Sequence, residues 1–207
     1  EQILSLQSGI SAKQGPGRAF HRKQIAGLSG TFTVASGLPE YAAHGLFAQP
    51  GEFEVLARMS NGAMMPQSDK VPDIRGFAIS VRGLNAPGAL GGSTDRQDFL
   101  LINRPAFDLK DSRDFAELVQ VAPKGQKAIL SYMIGKHGVV RGVLAMAAQA
   151  AHMMRPFSGY ATSNFHACAP IAWGPYAAHV HVTPVNASRD LLAWRDWGAD
   201  VRGRISR

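Results

Sequence analysis

EFEVLARMS, residues 52–60, alternates without a break: Phe53, Val55, Ala57 and Met59 fall on one side, and Glu52, Glu54, Leu56, Arg58 and Ser60 on the other. A period of two marks a strand with one face turned to a core. Upstream, GTFTV (30–34) sets Phe32 and Val34 against Thr31 and Thr33. Downstream, GFAISVR (76–82) and DFLLIN (98–103) complete at least four strands. The links are rich in Gly, Pro, Asn and Asp, as in NAPGALGGSTD (85–95). Strands this close in sequence pair antiparallel, because a parallel crossover needs a dozen or more residues.

Near residue 112 the period changes. Ser112 is placed to cap a helix that carries Phe115, Leu118 and Val119 on one side. PKGQKAILSYMIGKHG (123–138) and VVRGVLAMAAQAAHMMR (139–155) read as two more helices, the second so rich in Ala that burial on most sides is expected. Strand signal returns over 160–183, where YAAHVHVTP (176–184) alternates again. Residues 1–20 read as an arm, with a short helix-like start and the turn segment KQGPGR. The expectation is one α+β domain over 1–207. Its antiparallel sheet, closed or nearly closed, uses strands at about 29–104 and 160–183, with helices at about 112–155 inserted and trailing.

Bulk properties narrow the functional classes. A chain of 207 residues with 45% hydrophobic and 18% charged residues is ordinary globular material. Its +7 charge and pI near 9.9 are carried by scattered residues, with only Arg18, Arg22 and Lys23 bunched. That argues for a solvated basic surface and against nucleic acid as a partner. The single cysteine, Cys168, excludes an internal disulfide framework. The longest apolar run, 139–154, is broken by Arg141, Gln149 and His152 and is too short to span a bilayer, so no membrane partner is expected. EQILSLQSGI lacks the pattern of a signal peptide, which favours the cytoplasm, or the periplasm if a leader has been removed.

Three polar residues sit on or beside apolar strands: His21 before the first, Ser60 sharing a face with Arg58, and Asn103 ending the fourth. Singly each has an ordinary structural explanation. Together, RAFH (18–21), ARMSNG (57–62), DIRGFAISV (73–81) and DFLLINRPAF (98–107) resemble the distal half of the haem catalase family, closely over about 18–120 and more loosely near 170–184. The resemblance is to a short catalase-like branch, the catalase-related peroxidases. It implies a catalase-like antiparallel β-barrel and a haem b cofactor. Within that pattern His21 is the distal acid/base, Asn103 a hydrogen-bond donor to the peroxide, and Ser60 the residue that orients His21. Arg18 and Arg58 hold the haem propionates, and Phe107 and Phe115 line the distal pocket. The implied substrates are hydrogen peroxide or an organic peroxide together with a small reductant, and assembly into a homo-oligomer is left open.

The sequence departs from the family in three ways. The family's iron ligand is a Tyr with Arg four residues ahead, and Tyr41, Tyr132, Tyr160 and Tyr176 all lack that Arg. The metal ligand is therefore unassigned. Ser60 is followed by Asn61 and Gly62, where members often carry Thr and an apolar residue, and 85–95 differs in character. Other readings compete. HVH places His179 and His181 at a spacing metal ligands use, with His166 or Asp190 as a guessed third, which would suit a metal hydrolase or cupin-like protein. The same fold could instead act on lipid or organic hydroperoxides, or persist as a non-catalytic truncated barrel. Nothing around Cys168 favours it as a thiolate ligand.

Overall fold

The structure is a computed structural model that describes residues 1–105, 109, 111–154 and 157–185. Helix α1 (Gln2–Gln14) precedes four long strands: β1 (Gln24–Val34), β2 (Gly51–Asn61), β3 (Arg75–Pro87) and β4 (Ser93–Ile102). Helices α2 (Ser112–Val121), α3 (Gln126–His137) and α4 (Val139–Met153) follow. The short strands β5 (Phe165–Ala167), β6 (Ile171–Trp173), β7 (Tyr176–Ala178) and β8 (His181–Val182) come last. The main sheet runs β1-β2-β3-β4-β5-β8, antiparallel throughout, and β6 and β7 form a separate hairpin.

The alternation of 52–60 becomes two working faces. On one, Val55 pairs with Val81, Ala57 with Ile79 and Met59 with Phe77, and these stack on Phe99 and Leu101 of β4. Phe157, Tyr160 and Phe165 close this core, with the Tyr160 and Phe165 rings stacked at 5.6 Å. Each apolar side chain buried there contributes about 1.5–3 kcal/mol. On the other face the register aligns Arg58, Ala78 and Leu100 in one row and Ser60, Gly76 and Ile102 in the next.

The sheet curls into a half-barrel and does not close as expected from sequence. Among the described residues β1 and β8 are its two edges. The reason lies in the late strands: β5 and β8 run three and two residues, so the ladder beyond Leu101–Ala167 and Ile102–His166 is too short to return to β1. The alternating segment 176–184 is divided, its first part pairing in the β6–β7 hairpin and its second in the main sheet. Helix α2 starts one position from the expected cap. Asp111, not Ser112, is the N-cap, its carboxylate accepting from the Arg113 and Asp114 N–H groups at 2.9 and 3.0 Å. Helix α4 is not buried on most sides either. It crosses α3 closely at Gly142, where an added Cβ would lie 2.7 Å from the Ile134 Cα. Its far side leaves Val140 and Leu144 72% and 63% exposed.

Candidate functional site

His21 sits on the tight path that leads from the arm into β1. Its φ of 50° makes it the one non-glycine residue with positive φ among the described residues, a conformation His tolerates better than bulkier side chains. Its N–H donates to the Gly62 carbonyl at 3.1 Å, and its own carbonyl accepts from Arg58 Nη2 at 2.6 Å. The ring lies against the middle strand. A Cβ at position 76 would fall 2.5 Å from His21 Nδ1 and 2.8 Å from Ser60 Oγ, so only glycine leaves room for the imidazole. His21 Nδ1 and Ser60 Oγ are hydrogen-bonded at 3.0 Å. Burial, and then the neighbouring Arg58 and Arg18 charges, push the His21 pKa down to about 4. The imidazole is therefore neutral at pH 7, with Ser60 holding one ring nitrogen.

Beneath it lies a polar network that makes the placement rigid. Ser60 is only 3% exposed, and its carbonyl accepts from the Tyr160 hydroxyl at 2.9 Å. Asn61, 1% exposed, donates to Asp69 at 2.6 Å and accepts from Arg75. Arg75 reaches the carbonyls of Asp69 and Val71 at 2.7 and 3.2 Å and stacks over the Phe157 ring. Lys23 completes the group by pairing with Asp69 at 2.7 Å. The irregular segment 62–74 is thus tied to the strands at several points.

The backbone of Arg75 also fixes Asn103. Its N–H donates to Asn103 Oδ1 at 2.8 Å, and the Asn103 N–H donates back to the Arg75 carbonyl at 3.0 Å. With Oδ1 engaged, the Asn103 amide NH2 remains as a donor.

Two cavities meet at His21. One, of about 950 Å³, is lined mainly by apolar groups including Met64, Ile74, Ile102, Leu109 and Phe115, with Asp73 as its buried carboxyl. Burial pushes the Asp73 pKa up, against a hydrogen bond from the Ala63 N–H. The other, of about 350 Å³, runs along the Arg58–Ala78–Leu100 row beneath Ile3 and Gln7 of α1, with Arg18 at its side. The two share Phe20, His21, Ile102 and Cys168.

The expected site residues His21, Ser60, Arg58 and Arg18 therefore come together along one cavity. Phe115 joins through the larger one, its ring 5.6 Å from that of Phe20. Asn103 is in the lining of neither cavity, although Ile102 before it and Pro105 beyond Arg104 line the larger one. Phe107 lies outside the described residues. The sequence reading missed Gly76, Asn61, Asp73, Arg75 and Tyr160. Only Gly76, a glycine inside a strand pattern, carried a signal of close approach.

The histidine alternative is not carried by the geometry. His166 lies 5.4 Å from His181 and 6.4 Å from His179, ring to ring. But His179 Nε2 is engaged with the Ala167 carbonyl and His181 Nε2 with the Thr183 hydroxyl. No group of His, Cys, Asp or Glu that could hold a metal ion is found among the described residues, and Asp190 lies outside them.

No protein-family model matches the chain, and no curated protein matches it. Among solved structures, a bacterial catalase superposes with a TM-score of 0.59 at 18% identity, over 95% of this chain and 38% of its own. At that identity the likeness shows a catalase-like fold, and this chain spans 38% of that relative's length.

Proposed function

We propose that this chain is a haem-dependent, peroxide-decomposing oxidoreductase of catalase-like type. One observation carries the proposal: a neutral imidazole, oriented by a buried serine and seated over a glycine, stands where two cavities meet. The residues present fit one face and one edge of a haem. Ala78 puts a small side chain between Arg58 and Leu100 along the smaller cavity, and Arg18 and Arg58 add two guanidinium groups to its lining, suited to propionate carboxylates. No tyrosine lines either cavity: Tyr132 is engaged by Glu117 and Lys136, and Tyr160 by Ser60. The described residues thus offer distal and propionate groups without an iron ligand.

When bound, the haem supplies the iron at which the peroxide O–O bond is broken. The chain's own residues handle the proton and the developing charge. With Nδ1–H donated to Ser60, His21 Nε2 is free to accept a proton from one peroxide oxygen and return it to the other. A pKa near 4 keeps it ready to accept at neutral pH. The Asn103 amide donates to the oxygen that gains charge, and its fixed Oδ1 avoids reorientation during the step.

The larger cavity favours a second substrate class on the same site. Hydrogen peroxide gains nothing from an apolar lining of Met64, Ile74, Leu109 and Phe115, whereas the alkyl part of an organic hydroperoxide does.

The test is to express the full chain with ample haem and record its spectrum. A Soret band is expected, with turnover of both hydrogen peroxide and cumene hydroperoxide. His21→Ala should retain the band and lose about a hundred- to ten-thousand-fold in turnover, the scale of acid–base catalysis. Asn103→Ala should lose roughly tens- to hundreds-fold. Protein with neither Soret band nor iron would overturn the proposal.

A further inference from the structure

The hairpin of α3 and α4 carries a surface that no other described element covers. One side of α4 is taken by α3 at Gly142. The opposite side presents Val140, Val143 and Leu144, with Met154 just beyond the helix end, at 72%, 48%, 63% and 58% exposure. Ala147 and Ala151 continue the same stripe at helical spacing. A stripe of this kind facing water is unusual and marks a contact surface.

Charge identifies the partner. From Leu118 to Arg189 the chain contains no Asp or Glu. Over the same stretch Lys124, Lys127 and Arg141 are exposed and have no carboxylate partner among the described residues. Lys136 is the exception, held by Asp114 and Glu117 of α2. The hairpin therefore combines one apolar line with exposed cations that have no carboxylate partner among the described residues.

We propose that the α3–α4 hairpin is a peripheral docking surface for an anionic lipid bilayer. Helix α4 lies in the plane of the interface, its Val140–Leu144 stripe among the acyl chains, with Lys127 and Arg141 against headgroup phosphates. No described helix is long and apolar enough to cross a membrane, which suits an in-plane helix of 15 residues. A second copy of this chain is the competing occupant. Two such hairpins would set cations against cations with no carboxylate to offset them. The docking surface stands independently of the haem reading, since none of its residues belongs to either cavity.

The full chain is to be sedimented with phosphatidylcholine vesicles, alone and with about one-third phosphatidylglycerol. Binding to the anionic vesicles is expected to be at least several-fold stronger and to weaken as salt is raised. Val140→Asp/Leu144→Asp should lower the bound fraction about tenfold, and Lys127→Glu/Arg141→Glu by a similar factor, each with an unchanged circular dichroism spectrum. Absence of binding to anionic vesicles, or equal binding by parent and both variants, would overturn the proposal. So would a concentration-dependent dimer, seen without lipid and abolished by Val140→Asp/Leu144→Asp, because a second copy would then own the surface.

Discussion

The strand half and the helical half of this molecule distribute polarity in opposite ways. In the strand half, Ser60, Asn61, Asp69 and Arg75 are inside, each 3% exposed or less, and they hold His21 and the segment 62–74 in one arrangement. In the helical half, Val139, Val140, Val143 and Leu144 are outside, and the charged contacts of Lys136 with Asp114 and Glu117 lie on the surface. Buried polar groups are costly unless every partner is present, so a network of this kind is intolerant of single deletions. Exposed apolar groups cost little in the isolated chain and become useful only against a partner. The first half is built for position and the second for contact.

That contrast is most sharply broken at Arg75. Arg75→Ala leaves Asn61 and the Asp69 and Val71 carbonyls without their donor and opens space over Phe157. A loss of about 3–5 kcal/mol is expected in urea unfolding, the scale for removing one member of a buried charged network. A loss below about 1 kcal/mol would mean that the network is not what holds this half together.

Gly76→Ala acts at shorter range. The added methyl group must displace the His21 ring or the Ser60 hydroxyl, with a cost of about 1–3 kcal/mol for overpacking. The His21 titration, followed by NMR, should move from about 4 toward the ordinary value of 6.5 as the ring is expelled to solvent. An unmoved titration would show that the strand face has room to spare.

The same imidazole gives the strand half a pH dependence. Its folded pKa lies below the ordinary value, so protons bind the unfolded chain first. This contribution to stability is complete above about pH 6.5 and is lost progressively as pH falls toward 4. His21→Gln should flatten that part of the stability profile. In the haem-loaded protein, the acid limb of peroxide turnover should fall near pH 4 and not near 6.5.

The smallest effects belong to the helical half. Asp111→Ala removes the α2 cap at a cost of about 1 kcal/mol, read as a small drop in melting temperature. Lys136→Ala breaks surface pairs and should stay within the scatter of repeated melts.

The sequence made the first half legible because strands β2, β3 and β4 each repeat a two-residue period, and the same face carried Arg58 and Ser60. What it hid was the depth of those residues. Ser60 falls on the side that the alternation assigns to solvent, yet α1 and the arm cover it, and periodicity says nothing about such distant covering elements. Nothing in the periodicity marks Arg75 and Asp69 as buried, because their burial depends on an irregular segment with no periodic signal. Helix α4 misled in the other direction. Its Ala-rich sequence is what a buried helix would have, but among the described elements α3 is the one that packs closely on it. Closure failed as an expectation because alternation over 176–184 cannot reveal that its residues divide between two sheets.

The ties on segment 62–74 have a consequence for any molecule that enters the larger cavity. Gly62, Ala63, Met64, Asp73 and Ile74 form one wall of it, and that wall has already surrendered its conformational freedom when the chain folds. A guest therefore meets a surface cast beforehand and has little loop ordering to underwrite on that side. Ser112 and Phe115 of α2, a helix held by the Asp111 cap and the Lys136–Asp114 pair, add to the same lining. Discrimination between guests should thus follow the shape of the fixed wall.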